Sequence, residues 1–165
     1  MLILGVDPDS RCTALCLLRY DGHDATPIEL LGGGSIIVEW STISGALEYL
    51  QSVRERFPDE QLVVVIETQA PKGVHSQDVE SLRRVRYHWE AACELLGIEC
   101  SFVAAKSWQS VVLLPGESGK PAYMKRTREL AGDHASLLTN EDRCAAFGIA
   151  WAHATSLAEN RRRRY

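Results

Sequence analysis

The chain has no apolar run of the ~18 residues that a membrane-crossing helix needs, so no membrane partner is expected. It has no CxxC pair either. Its five cysteines stand at 12, 16, 93, 100 and 144, an odd number that argues against a disulfide framework. Reduced, structural thiols in a cytoplasmic compartment are the expectation. No secretory leader is visible, because Met1 runs straight into a strand pattern. Internal repeats and low-complexity linkers are missing too. At 165 residues the chain suits one domain, expected over residues 1–158, with a basic tail over 159–165. An excess of positive charge is also lacking. The formal net charge is −4, so a nucleic-acid partner could only be signalled by clustering. Clusters do occur: Arg83, Arg84 and Arg86; Lys120, Lys125, Arg126 and Arg128; and the run Arg161 to Arg164. Taken alone, each reads first as a solvated face or tail.

What is present is a sequence of alternating elements. Leu2–Asp7 reads as a strand, Asp7-Pro8-Asp9-Ser10 as a tight turn, and Cys12–Arg19 as an antiparallel return strand. Ile28–Leu31 and Ser35–Glu39 read as a third strand, with Gly32, Gly33 and Gly34 marking a bulge. The period then changes to helical from Ile43 to Phe57. "LVVVI", Leu62–Ile66, is a β-branched run of the kind covered on both faces. A second helix follows from a Ser76 cap to Gly97, with Tyr87, His88 and Trp89 offering more aromatic surface than one core needs. Ile98–Val103 gives a fifth strand, Trp108–Leu114 and Tyr123–Ala131 shorter helices, and Asn140–Ala158 a last helix. The expected fold is α/β: a five-stranded mixed sheet, first a β-meander and then parallel strands, with helices on both faces.

Two acids fall at strand ends. Asp7 closes the first strand, where Pro8 biases it toward extended backbone, and Glu67 closes the fourth. If those strands are parallel neighbours, both carboxylates reach the sheet edge where open α/β sheets place their sites. Paired carboxylates repel unless a cation lies between them, and hard oxygen ligands select Mg²⁺ or Mn²⁺. Asp7 also suits plain turn initiation, and Glu67 a solvated strand end. Glu141 and Asp142 would sit in the first turn of the last helix, where the helix dipole alone favours acids. They could equally present a further metal ligand.

The residues carry a family likeness. "LGVDPDSR", "VVVIETQAPKGVHS", "AAKSWQSVVLLPG", "GKPAYMKRTREL" and "EDRCAAFGIAWAHA" resemble, in order and spacing, the motifs of RuvC-type Holliday-junction resolvases of the RNase H-like superfamily, and the phage-like branch in particular. The likeness runs from Leu2 to about His153. Two departures stand out. Asp9 replaces the Gly usual in the first motif, and Ala145 falls where the closing motif has its second acid.

The resemblance implies a divalent-metal-dependent endonuclease that resolves Holliday junctions and other branched DNA by phosphodiester hydrolysis. It implies Asp7, Glu67 and Asp142 as catalytic residues, with Glu141 as a further metal ligand. Two Mg²⁺ ions per site would be held, Mn²⁺ serving as a substitute. Lys106 and Lys120 align roughly with the family's basic segments, Lys125 shares a predicted helix with Lys120, and Lys72 follows Glu67 in its loop near the expected metals; all four are expected DNA contacts. A homodimer is implied, without a nucleotide cofactor, and the aromatic-rich helix from Gln77 to Leu96 is its candidate interface. Trp108 could stack on a base or simply pack. Ala145 leaves three readings open: an inactivated nuclease, a nuclease in which Glu141 or Asp9 compensates, or a branched-DNA binder that does not cut. A phosphotransferase of the sugar-kinase type shares the strand order, but it needs two such domains, and this chain has length for one.

Overall fold

The computed structural model describes residues 1–8, 13–22, 24–31, 41–68 and 76–163. The elements run β1 (Leu2–Asp7), β2 (Ala14–Tyr20), β3 (Ala25–Leu31), α1 (Ile43–Arg56), β4 (Leu62–Thr68), α2 (Ser76–Leu96), β5 (Glu99–Ala104), α3 (Ala105–Val112), α4 (Lys120–Ala131), a 3-10 segment (Gly132–Leu137) and α5 (Glu141–Arg162). The strands lie in the order β3-β2-β1-β4-β5. β2 pairs antiparallel with β1 and β3, while β4 pairs parallel with β1 and β5. The meander followed by parallel crossover strands is the sheet that the sequence suggests.

Side-chain alternation along the strands divides the core into two layers. Leu2, Leu4, Val6, Leu15, Leu17, Val64 and Ile66 pack against Ala46, Leu50 and Val53 of α1 and against Val85, Trp89 and Ala92 of α2. Ile3, Cys16, Leu18, Val63 and Val65 pack against Trp108 of α3, Tyr123 of α4, and Ala146, Phe147, Ile149 and Ala150 of α5. Both faces of the central strands are therefore covered, which is why β1 and β4 read as unbroken apolar runs.

One close approach sets the second layer. A Cβ added at Gly5 would collide with the Ala146 carbonyl oxygen and would stand 2.9 Å from the Ala150 backbone nitrogen. The helix α5 thus lies directly on β1, and a residue without a side chain is what permits it.

The boundaries differ from the sequence expectation in several places. β3 begins at Ala25 and contains Pro27, which an edge strand tolerates. Its irregularity falls at Ile28: Leu17 pairs with Glu29 and Leu18 with Pro27. The bulge expected at Gly32–Gly34, and the strand expected over Ser35–Glu39, lie outside the described residues. α3 starts at Ala105, earlier than Trp108, and α4 starts at Lys120 with Pro121 in its first turn, where proline fits. α5 continues past Ala158 to Arg162, its last-turn arginines lying where the helix dipole favours cations.

Of the three aromatics expected to make an interface on α2, only Tyr87 is exposed. Trp89 is buried in this chain's own core, edge-on to Tyr49, and His88 donates a hydrogen bond to the Ser41 carbonyl at 2.8 Å. Cys16, Cys93, Cys100 and Cys144 are free thiols. Among the described residues no helix is long and apolar enough to cross a membrane.

The Gly5 contact is testable by Gly5→Ala. Its methyl meets helix backbone, which cannot rotate away, so urea unfolding should show a loss of about 1–3 kcal/mol. An unchanged midpoint would mean that α5 is free to lift off the strand.

Candidate active site

β1 and β4 run in parallel register from Leu2 opposite Leu62 to Val6 opposite Ile66. The next residue on each strand is an acid, Asp7 and Glu67, so the two carboxylates stand side by side at the carboxyl ends. Alternation puts Asp7 on the face of Ile3 and Gly5, and Glu67 on the face of Val63 and Val65. Both therefore turn toward the layer that α3, α4 and α5 cover.

The helix α5 enters that layer at its N-terminus. Asn140 caps it, its side chain accepting from the Arg143 N–H at 3.0 Å, and Glu141 and Asp142 occupy the first turn. Asp7, Glu67, Glu141 and Asp142 line one cleft of about 410 Å³, together with Pro8, Trp108, Gln109, Gly119, Lys120, Tyr123 and Ala145. The structure thus brings together the four acids singled out in the sequence. Ala145 is one helical turn beyond Asp142 on the same face and is only 5% exposed. Its methyl faces the cleft where the closing motif would supply a carboxylate.

The acids differ in their surroundings. Glu67 is 8% exposed, and its Oε2 accepts a hydrogen bond from the indole Nε1–H of Trp108. Burial pushes its carboxyl above the usual range, against the pull of that bond. Glu141 is tied at the rim: the Tyr123 hydroxyl donates to Oε1 at 2.9 Å, and Lys120 Nζ lies 2.7 Å from Oε1 and 2.9 Å from Oε2. Burial would raise its carboxyl, but the bonds from Lys120 and Tyr123 outweigh burial and hold it below the usual range. Lys120 is raised in turn by its bond to Glu141, and Tyr123 is raised by burial and by the same glutamate.

The remaining basic candidates are placed unevenly. Lys120 lines the cleft. Lys106 is exposed at the start of α3, and Lys125 is exposed on α4, 3.7 Å from Glu129; neither lines the cleft. Lys72 and Asp9 lie outside the described residues. Two residues of the site were missed in the sequence: Trp108 as a donor to Glu67, and Tyr123 as a donor to Glu141. The available signal was chemical, since a buried indole or phenol needs a hydrogen-bond partner.

Comparison with solved structures gives the arrangement its context. Thermus thermophilus RuvC in complex with a Holliday-junction substrate matches with a TM-score of 0.72 and 16% identity, over 97% of this chain and 96% of that one. The fold is RNase H-like, in the form seen in RuvC. RuvC of T. thermophilus alone gives a TM-score of 0.71 at 15% identity, covering 97% of each chain. The yeast mitochondrial Holliday-junction resolvase Ydc2 gives 0.63 at 13% identity, over 98% of this chain and 81% of that one. No family model matches the chain, and no curated protein sequence does so.

The environment of Glu67 has a consequence for stability. A carboxyl whose folded pKa lies above its unfolded value binds more protons in the native state, so stability falls as pH rises through that interval. Glu67→Gln removes the ionisation. In metal-free buffer its melting temperature should exceed the parent's at neutral pH, and the gap should close as pH falls into the ordinary carboxylate range. A variant less stable than the parent at every pH would show that ionised Glu67 stabilises the fold.

Proposed function

We propose that this chain is a structure-specific endonuclease that uses a divalent metal to hydrolyse phosphodiesters in branched DNA, four-way junctions above all. The observation that carries the reading is the convergence of Asp7, Glu67 and Asp142 on one cleft, within a RuvC fold that spans almost the whole chain. The donor set fits a hard divalent cation in kind, being all carboxylate. Among the described residues, however, no three His, Cys, Asp or Glu are grouped tightly enough to hold an ion as they stand.

Asp7, Glu67 and Asp142 would hold Mg²⁺ or Mn²⁺, two ions in a fully furnished site. Glu141 is already engaged by Lys120 and Tyr123, which compete with an ion for its oxygens. Such ions supply a water acidified into a nucleophile and a counter-charge for the leaving 3′-oxygen. The chain's own residues do the rest. Lys120 stands at the mouth, oriented by Glu141, to meet a DNA phosphate. Lys106, Lys125 and Lys72 would extend the phosphate grip beyond the cleft. The three acids keep the DNA backbone out unless cations accompany it, which couples substrate entry to metal.

Ala145 favours a second reading, a branched-DNA binder that cuts slowly or not at all. A methyl at that place removes one ligand and weakens one metal position most. Both readings keep the same DNA grip.

A homodimer matches a substrate with two equivalent strands, since paired cuts need two sites related by a two-fold axis. The face formed by α2 and the β5 edge is the candidate contact. There Arg86 stacks over the Tyr87 and Phe102 rings, with centroid distances of 4.8 and 5.2 Å.

The test is a gel-shift and nicking assay on a synthetic four-way junction against linear duplex. In Ca²⁺ the chain should shift the junction in preference to the duplex. In Mg²⁺, Ala145→Asp should nick faster than the parent by about tenfold or more, equivalent to ~1.4 kcal/mol of barrier. Asp7→Asn should bind without nicking. Equal rates for the parent and Ala145→Asp would remove position 145 from the metal site, and no junction preference would remove the function. Calorimetric Mg²⁺ titration separates the two readings, since a pure binder need not take up the ion.

Light scattering at micromolar concentration should give twice the chain mass for the parent and a single chain mass for Phe102→Asp. A monomeric parent would rule the dimer out.

A further inference from the structure

Trp108 reaches Glu67 because the parallel pairing of β4 and β5 carries it there. Glu67 sits opposite Val103 and Thr68 opposite Ala104, and α3 begins at the next residue, Ala105. One turn into α3, Trp108 comes level with the strand end. It is held on every side: 1% exposed, with its Cζ3 2.6 Å from where a Cβ would stand on Gly148, and packed edge to face on Tyr123 at 5.3 Å. Tyr123 in turn bonds Glu141, and Glu141 bonds Lys120. The buried acid and the rim lysine are thereby joined through one wall of packed side chains.

That wall does something specific to Glu67. A free glutamate side chain can turn about its terminal bond and offer either oxygen, or both. Here Oε2 is occupied by the indole N–H, and the indole itself cannot move. We propose that Trp108 is a positioning residue that fixes the Glu67 carboxylate through Oε2, so that Oε1 alone is presented to a divalent cation in the cleft. The inference rests on the reading of this cleft as a metal site. A neutral donor suits the task, because it steadies the carboxylate without cancelling its charge, as a lysine or arginine in the same place would. The arrangement parallels the outer partners that orient metal-binding side chains elsewhere, whose removal commonly costs 10–100-fold in affinity or activity.

The experiment separates the hydrogen bond from the packing. In the full-length chain, Trp108 alone is replaced by β-(3-benzothienyl)alanine, which has the shape of tryptophan with sulfur in place of the N–H. Mn²⁺ binding is measured by calorimetry without DNA, and kcat and KM are measured on a four-way junction in the Ala145→Asp background. The expected result is a loss of Mn²⁺ affinity of about tenfold or more and a similar fall in kcat, with KM unchanged and a cooperative melting transition retained. Trp108→Phe, which also lacks the donor, should lose affinity at least as far. An isostere that binds Mn²⁺ as tightly as the parent overturns the role of Trp108 and leaves the metal site standing. A parent chain that takes up no Mn²⁺ overturns the metal reading itself, and the inference falls with it.

Discussion

The contact between α5 and β1 at Gly5 is the constraint on which the rest depends. A helix packed on a sheet ordinarily rides on a layer of side chains. Here the strand has none at that point, and the backbone near Ala146 and Ala150 comes down onto it. Two residues beyond Gly5, on the same face, is Asp7. One turn before Ala146, at the start of the helix, is Asp142. The approach that closes the core therefore also closes the distance between a strand acid and a helix acid. Loosening it would destabilise the second layer and open the cleft in the same movement.

Much of this could be read from the chain before folding. The unbroken runs in β1 and β4 report strands covered on both faces, and covered neighbours in an α/β sheet are parallel central strands. From that, acids ending both runs must meet at one edge. The facing of Ala145 follows as simply, from its distance of three residues beyond Asp142. What could not be read depends on partners remote in sequence. Trp108 offers the same apolar signal whether its N–H finds Glu67 or a base. The start of α3 was hidden because Ala105 and Lys106 add nothing to an apolar period. Pro27 conceals the beginning of β3 because its tolerance depends on the strand being at an edge, a property of the sheet and not of the segment. The end of α5 was hidden likewise, since arginines in a last turn are stabilised by the helix dipole and leave no hydrophobic trace.

The place of Trp89 on α2 was misjudged for a related reason. An aromatic-rich helix can look oversupplied when one core layer is imagined beneath it. α2 shares its layer with α1, however, and Trp89 fills the space between the helices against Tyr49. Exposed apolar surface on this side is carried instead by Tyr87 and the edge-strand residue Phe102, with Arg86 stacked over both rings. It is assembled from two elements, so neither element announces it alone.

The electrostatics of the cleft explain how it stays folded while holding its acids. Three of its four acids show how they are supported. Glu67 keeps one oxygen on a neutral donor and bears the cost of burial in its raised pKa. Glu141 is neutralised by Lys120 and steadied by Tyr123. Asp142 sits in the first turn of α5, where the helix dipole is favourable. A further carboxylate at position 145 would have no such help. It would lie deeper than the first turn, 5% exposed, among acids already in place. Without a cation it would add repulsion and desolvation together. Alanine there relieves both, at the cost of one ligand for the ion that the remaining acids would hold. The residue that weakens the proposed chemistry is thus the one that steadies the empty fold, the trade expected where an active site is built from groups the rest of the protein would sooner exclude.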